Sequence, residues 1–528
     1  MPTTILTNAR VITMDPGQPV ASGLIIEDGN IARVLPLDQD PQLPSQGKKI
    51  DLGGKTILPG LIDSHLHLRK YAESLEKVDC ETSTKQECLD RVRKRCDSTP
   101  PGKWVLGHGW NHNLWPSGYG TAQDLDQIST EHPIYLTGKS LHVSWANTAA
   151  LHQAGITDNT PDPAGGLLGR HGDGTLTGIL FEDAVKLVEK IIPPPTLEEI
   201  AKSITTAQHK LWQMGITGVH DFDKLPCLEA LRILEERDQL RLRVVKTLPA
   251  AYLADAIHQG IRTGAGSDWL WYGGIKEFMD GALGPQTAAM LSPYQDSDQV
   301  GLLLKNEREI FDLGRTAVSG GLALAIHAIG DQAVRILLDA FTQLRKFEEQ
   351  LGIDPLPHRI EHVQLIHPQD IPRLADLDII ASMQPIHATS DMAMANAYWG
   401  DRTRYAYAPK LQLDQGAQVI FGSDAPVESP HPWSGIQAAV TRRSRAGEPG
   451  PKGWHPESRL TLEETLTAFT RAAGAAVGRG KQQGVLAAGY WADCVVLADD
   501  PFQVEPDQLW KIRPLGTMIN GEWVWQDF

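Results

Sequence analysis

The sequence is poor in cysteine and has no long hydrophobic segment. Its five cysteines are widely spaced and include no C-x-x-C pair, so neither a disulfide framework nor a cysteine zinc site is expected. The absence of an apolar run of about 18 residues predicts no membrane-spanning helix. Residues Met1 to Asp15 lack the basic and apolar segments of a secretory signal. We therefore expect free thiols and a cytoplasmic protein.

An excess of basic charge is also missing. The chain has 49 Lys and Arg against 65 Asp and Glu, and its net charge is -16 with the acidic residues spread along the sequence. Such a surface repels a phosphate backbone, so no nucleic-acid partner and no membrane face are expected. The expected partner is a small-molecule substrate. The oligomeric state is left open, with a homodimer as one expectation.

Both ends of the chain are rich in short β-type segments. Asp28-Gly29 predicts a tight turn between two strands near the start, and Asn520-Gly521 predicts a hairpin near the end. Neither end is long enough to bury a core alone. We expect residues 1–58 and 478–528 to form one composite β-sandwich domain.

Between the two ends, short apolar strands alternate with helical segments. Continuous apolar runs are typical of parallel strands that are buried on both faces. The pattern predicts an α/β fold, a (β/α)₈ TIM barrel over residues 59–477. A long gap after the first strand predicts an inserted subdomain at 70–212. The eight candidate strands are Ile57–Asp63, Thr217–Asp221, Arg243–Thr247, Tyr272–Phe278, Ala323–His327, Arg359–His362, Ile379–Gln384 and Val419–Asp424.

Metal-ligating residue types recur where these candidate strands end. His65 and His67 are two residues apart, so in an extended segment both imidazoles point the same way. His327, His362 and Asp424 end the fifth, sixth and eighth candidate strands. Catalytic groups of such barrels lie at the C-terminal ends of the strands. A lone buried histidine is usually a core residue, but this combination predicts a metal site.

Lys276 interrupts the apolar fourth strand. A buried lysine costs several kcal/mol unless it is paired or neutralised. One interpretation is an ion pair with Asp280 or Glu277. The other is a carbamate, formed when the neutral amine captures carbon dioxide, whose two oxygens suit the bridging of two cations.

The order of these motifs resembles the amidohydrolase superfamily. More narrowly, the segments Gly60–His67, Lys276–Gly281, His327–Asp331, Glu361-His362 and Gly422–Val427 resemble amidohydrolase family three, the YtcJ-like branch, which includes hydrolases of N-substituted formamides. The resemblance implies a metal centre and hydrolysis, usually at non-peptide carbon–nitrogen bonds.

The resemblance also implies a role for each ligand. His65, His67 and Asp424 would bind the more buried metal, His327 and His362 the more exposed one, and carboxylated Lys276 would bridge them. After Asp280-Gly281 the branch often has a serine–arginine pair where this chain has Pro285-Gln286, which implies a less acidic substrate.

The expected mechanism uses two divalent metal ions that share one water. Such a pair lowers the pKa of the water toward ~7 and yields a bridging hydroxide. Asp424 would accept its proton and pass it to the leaving amine. Zinc is the expected metal, with manganese, iron and nickel left open. Asp63, Asp280 and Glu361 are predicted either to orient the ligands or to serve only as structural hydrogen-bonding residues.

Predicted substrate contacts come from several segments. By resemblance, His142 faces the metals from the inserted region and His387 approaches from beyond the seventh strand. Trp110 and Glu182 are further candidates. Each has an alternative, since Trp110 would otherwise be packing and Glu182 a helix cap or solvated residue.

Two rival functions remain open at this point. A one-metal deaminase of a heterocycle would share the histidines and Asp424 but would not need a bridging Lys276. A non-catalytic assembly protein would keep the barrel and lose the ligands, whereas here every ligand position is filled.

Overall fold

The computed structural model describes residues 3–37, 43–112, 115–138 and 143–528. The chain divides into two compact units, Met1–Tyr71 with Ile204–Phe528, and Ala72–Ser203. Among the described residues, no helix has the length and apolar character needed to cross a bilayer.

A barrel of parallel strands forms the centre of the first unit. Each strand pairs with the next one along the chain, and the amide of Asp424 donates to the carbonyl of His65 at 2.7 Å, which connects the last strand with the first. The predicted α/β barrel is therefore confirmed. In the described part of the chain its eight strands are β1 (Leu61–Leu66), β2 (Ile216–Asp221), β3 (Arg243–Pro249), β4 (Leu270–Phe278), β5 (Leu324–Ala328), β6 (Arg359–His362), β7 (Ile380–Met383) and β8 (Val419–Phe421).

The prediction of one strand over Ile57–Asp63 is wrong. The segment divides at Gly60 into Thr56–Pro59, which belongs to another sheet, and β1. A Cβ at Gly60 would lie 2.2 Å from the Thr217 side chain, so the chain can pass β2 here only with glycine. As a result, His65 lies within β1 and His67 follows it directly.

Helices of the first unit follow the barrel strands along the chain, and the second unit has helices of its own. In the long helix Asp331–Leu351, buried residues such as Val334, Leu337, Leu338 and Phe341 recur every three or four positions, so one face packs on the barrel. The described helices of eight or more residues are Leu68–Glu76, Lys85–Ser98, Leu197–Gln213, Leu225–Glu236, Glu307–Ser319, Asp331–Leu351, Pro385–Trp399 and Pro432–Thr441, and the shorter ones are Ala122–Asp126, Thr148–Gln153, Val185–Glu189, Leu253–His258, Arg373–Asp376, Pro409–Asp414, Leu462–Ala468 and Arg471–Ala475.

Strands from both chain ends form two further sheets of the first unit. The predicted turns are present, since Asn30 pairs with Glu27 and Glu522 pairs with Ile519 across two-residue loops. The two sheets share one hydrophobic cluster. In order of pairing, one contains Asn30–Leu35, Gly23–Glu27, Thr4–Thr7 and Lys48–Asp51, and the other contains Glu522–Gln526, Pro514–Ile519, Cys494–Leu497, Thr56–Pro59, Arg10–Ile12 and Val20–Ala21.

The second unit has a mixed sheet of its own. A cluster of aromatic and cysteine side chains fills its core, with Trp110, Trp115 and Trp145 in contact with one another. Its strands, in order of pairing, are Gly166–Arg170, Leu176–Glu182, Val143–Ala146, Ile134–Gly138, Val105–Trp110 and Val78–Asp79.

Candidate metal centre

The barrel strands bring the predicted ligands together at their C-terminal ends. These side chains come from positions more than 350 residues apart in sequence, yet they line a single cavity of about 420 Å³ in the first unit. They are His65, His67, Lys276, His327, His362 and Asp424.

His65 and His67 meet Asp424 at one side of this cavity. Their Nε2 atoms lie 3.5 and 3.6 Å from the same carboxylate oxygen, Asp424 Oδ1. The Nδ1 atom of His65 lies 2.6 Å from Glu361 Oε2 and faces away from the cavity. Donation to that carboxylate fixes the tautomer and leaves the Nε2 lone pair for a cation. The three side chains therefore fit one metal ion.

Asp424 is held by its backbone and by its neighbours. Its φ of 61° is in the left-handed region, which costs a non-glycine residue of order 1–3 kcal/mol and is typical of functional sites. The Asp63 carboxylate accepts hydrogen bonds from the amide and the hydroxyl of Ser423, at 2.9 and 2.5 Å. Burial raises the pKa of Asp424, but His387, His65 and His362 outweigh it and hold the pKa well below its usual range.

His327 and His362 lie side by side at the ends of β5 and β6, with ring centres 4.7 Å apart. The Nδ1 atom of His362 lies 2.8 Å from Gln384 Oε1, and Nε2 of His327 lies 2.9 Å from the carbonyl of Gly281. Burial and the Lys276 amine lower the pKa of His327 to about 3. Burial also lowers the pKa of His362. Both rings are thus neutral at pH 7 and able to bind a cation.

Lys276 is a buried amine without a hydrogen-bond partner in the described structure. Burial lowers its pKa to about 8. The alternative ion pair is not formed by the described residues, because the Asp280 carboxylate accepts from the amides of Ala289, Ile329 and Gly330, and Glu277 lies 4.0 Å from Lys305. An unpartnered amine of lowered pKa among ligands fits the predicted carbamate.

Of the three predicted orienting carboxylates, Glu361 has the most direct contact with a ligand. Besides His65, it pairs with Arg359, whose Nε lies 2.5 Å from Glu361 Oε1. Asp280 is 3.5 Å from Nε2 of His327, and Asp63 accepts the amide of His65 at 3.2 Å. Glu361 thus contacts the ring of a predicted ligand directly, whereas the hydrogen bonds of Asp63 and Asp280 are mainly to backbone amides. The choice between an orienting and a structural role stays open for these two residues.

The sequence reasoning missed Asp223. Its Oδ1 lies 3.3 Å from Nδ1 of His67, and its carbonyl accepts from the fully buried amine of Lys246. Lys246 also pairs with Asp221 at 2.6 Å. The signal was present in the sequence as two aspartates, Asp221 and Asp223, where the apolar strand β2 ends.

We expect Asp223→Asn to weaken metal binding about 10–100-fold, because the amide orients His67 less strongly than the carboxylate does. Titration of the metal-free protein with zinc, followed by calorimetry, measures this directly. The exposed Asp238→Asn serves as the control. Equal affinity of the Asp223 variant and the natural protein would show that the contact does not orient His67.

The four predicted substrate-binding residues differ in where the structure places them. His387 lines the cavity, with Nε2 3.6 Å from Asp424 Oδ2. Trp110 is buried in the core of the second unit, where its indole donates to the carbonyl of Leu136. Glu182 is exposed at a φ of 50°, and His142 is outside the described residues. Substrate contact by these four residues stays a prediction.

A parallel barrel that carries imidazole and carboxylate groups at the C-terminal ends of its strands is typical of metal-dependent hydrolases. The model of the amidohydrolase family matches residues 48–525. The chain belongs to this family and is a metal-dependent amidohydrolase.

Several known proteins are similar over nearly the full chain. A putative amidohydrolase YtcJ of Bacillus subtilis is 31% identical, with 96% of this chain and 95% of that protein covered. An N-substituted formamide deformylase of Arthrobacter pascens is 27% identical over 98% of this chain and 97% of that protein. The crystal structure of an uncharacterized metal-dependent hydrolase from Pyrococcus furiosus superposes with a TM-score of 0.76 and 27% identity. The match covers 95% of this chain and 100% of the Pyrococcus chain.

Proposed function

We propose that the protein hydrolyses a non-peptide carbon–nitrogen bond, in an amide or an N-acyl or N-formyl compound, at a binuclear zinc centre. The main support is the convergence of the predicted ligands on one cavity with an unpartnered buried lysine among them. The formamide deformylase of Arthrobacter pascens, which is similar over nearly the whole chain, is consistent with this bond type.

The ligands divide into two sets. His65, His67 and Asp424 would hold the more buried ion, and His327 and His362 the more exposed one. Lys276, carboxylated on Nζ, would supply one oxygen to each. When bound, the ions lower the pKa of a water molecule and polarise the substrate carbonyl.

Asp424 would perform the proton transfer. Oδ1 faces His65 and His67, whereas Oδ2 faces His387. A carboxylate is ionised at neutral pH, so Asp424 can accept the proton that the attacking water loses. It would then pass that proton to the nitrogen as the carbon–nitrogen bond breaks. The products are a carboxylic acid and an amine.

A metal analysis of the purified protein, combined with a panel of N-acyl, N-formyl, cyclic amide and ester substrates, tests the proposal. We expect two equivalents of zinc per chain and turnover of one amide class. Treatment with a chelator should abolish the activity, and added zinc should restore it. A single equivalent with release of ammonia from a heterocycle would instead favour the deaminase.

A further inference from the structure

The guanidinium of Arg359 lies inside the barrel and connects strands that are not neighbours. Its Nη2 atom donates to the carbonyl of Ser64 on β1 at 2.7 Å and to the hydroxyl of Ser382 on β7 at 2.6 Å. Its Nη1 atom lies 2.9 Å from Nδ1 of His220 on β2. Because Arg359 is itself on β6, the contacts with β1 and β2 cross the barrel interior. The side chain is buried, so its donors are used by the protein and not by solvent.

The same guanidinium holds both oxygens of the Glu361 carboxylate. Nε of Arg359 lies 2.5 Å from Oε1 of Glu361, and Nη2 lies 3.0 Å from Oε2. Two parallel hydrogen bonds between a guanidinium and a carboxylate fix the plane of the carboxylate as well as its position. The two residues are two positions apart on β6, so both side chains leave the strand on the same side.

The carboxylate that Arg359 holds also contacts His65. Oε2 of Glu361 lies 2.6 Å from Nδ1 of the His65 ring. Phe222 stacks on that ring with the ring centres 4.0 Å apart and the planes at 11°, and the guanidinium of Arg359 lies 5.3 Å from the centre of the same phenyl ring. One edge of the imidazole is therefore held by Glu361 and its plane by Phe222, and Arg359 contacts both.

The contact with Glu361 decides which nitrogen of His65 can bind a cation. A neutral imidazole carries one hydrogen, and donation from Nδ1 to the carboxylate leaves Nε2 with a free lone pair. Nε2 is the atom that faces Asp424, at 3.5 Å. If the carboxylate turned away from Nδ1, the other tautomer would become accessible, and its hydrogen on Nε2 would exclude a cation.

A pair that serves only the fold is the alternative role for Arg359. Arg243 forms such a pair in the same barrel, since its Nε and Nη2 atoms lie 2.7 and 3.0 Å from the two oxygens of Asp493. Arg243 is at the N-terminal end of β3, whereas the predicted ligands are at the C-terminal ends of the strands. The two buried arginines therefore differ in one respect, because only the carboxylate partner of Arg359 contacts a predicted ligand in the described structure.

We infer that Arg359 is a positioning residue for the metal centre and that it sets the tautomer of His65 through Glu361. The inference rests on the proposed function, because His65 is a ligand of the proposed buried ion. A lysine at position 359 would keep the positive charge. Its single ammonium group could not hold both oxygens of Glu361 and also reach three other strands, so the fixed geometry would be lost.

Zinc titration of the metal-free protein tests the inference with the matched variants Arg359→Lys and Arg243→Lys. Each variant replaces a buried arginine that holds both oxygens of a carboxylate. In Arg359→Lys we expect the affinity of one zinc site to fall about 10–100-fold, as when other groups that orient metal ligands are removed. In Arg243→Lys both sites should keep the natural affinity. Calorimetry measures the affinities, and thermal unfolding measures the stability that each variant loses.

Nitrogen NMR of the histidine rings in the metal-free protein provides a readout without substrate or metal. In the natural protein His65 should carry its hydrogen on Nδ1, and His65→Gln identifies the signals of this ring. We expect a mixture of both tautomers in Arg359→Lys and the natural tautomer in Arg243→Lys.

Several results would overturn the inference. They are natural zinc affinity in Arg359→Lys, an unchanged His65 tautomer in that variant, or an equal loss of affinity in Arg243→Lys. If Arg359→Lys does not fold, Ser382→Ala takes its place, because it removes one contact of Nη2. There we expect a several-fold loss of zinc affinity, and natural affinity overturns the inference. None of these measurements uses a substrate, so a zinc-loaded natural protein that hydrolyses no amide counts against the proposed function alone.

Discussion

Replacing Lys276 with alanine is expected to lower kcat/KM about 10³-fold or more. Metal catalysis supplies several kcal/mol of transition-state stabilisation, and each ~1.4 kcal/mol changes the rate by a factor of ten. The variant removes the proposed bridging ligand, and the rings of Phe222 and Phe278, 5.1 and 4.7 Å from the amine, leave apolar neighbours for the shorter alanine. Metal content should fall from two equivalents to one or fewer. Steady-state kinetics and metal analysis of the same sample measure both effects.

The matched control is Lys305→Ala, which removes a half-exposed lysine near Glu277. We expect natural activity in this variant. Labelled bicarbonate added to the metal-free natural protein before zinc should give a carbamate signal in the NMR spectrum, and Lys276→Ala should lack it. Full activity and two equivalents of metal in Lys276→Ala would contradict the bridging role and favour the one-metal site.

The second large effect is expected for Asp424→Asn. Proton transfer by a positioned side chain contributes about 10²–10⁴-fold, so kcat should fall by that factor. The amide keeps the size of the carboxylate and the hydrogen bond from its own backbone to His65. KM should change far less than kcat, because the proposed role of Asp424 is proton transfer and not substrate binding. Kinetics at saturating zinc separate the proton transfer from weaker metal binding.

For Asp424→Asn the exposed Asp401→Asn provides the comparison. Circular dichroism should show that both variants are folded. A variant at position 424 whose kcat stays within threefold of the natural value would mean that another group moves the proton.

Much of the barrel is readable from the sequence, because parallel strands buried on both faces appear as short apolar runs. β6 occurs where the pattern predicts it, at Arg359–His362. The error at Ile57–Asp63 has a physical cause. Both halves of that segment are buried β-structure, and only the contact of Gly60 with Thr217 shows that the chain changes sheets there.

The sequence predicts those members of the candidate site that are metal-ligating residue types at the end of a predicted strand, such as His327 and His362. Contacts between distant residues were not readable. Glu361 and His65 are 296 positions apart, so their hydrogen bond requires the barrel geometry. The choice between an ion pair and an unpartnered amine at Lys276 likewise depended on where Asp280 points, and local sequence does not encode that direction.

The strand Thr56–Pro59 pairs with Cys494–Leu497, so one sheet is completed by segments that leave the ribosome far apart in time. During synthesis Thr56–Pro59 has one unpaired hydrogen-bonding edge. Other chains can pair with this edge and aggregate until Cys494–Leu497 has been made. Asp424 is also made late, so the proposed cation sites can be complete only when most of the polypeptide is available. We therefore expect metal to bind at the last stage of maturation, and a chain truncated before residue 494 to keep the open edge.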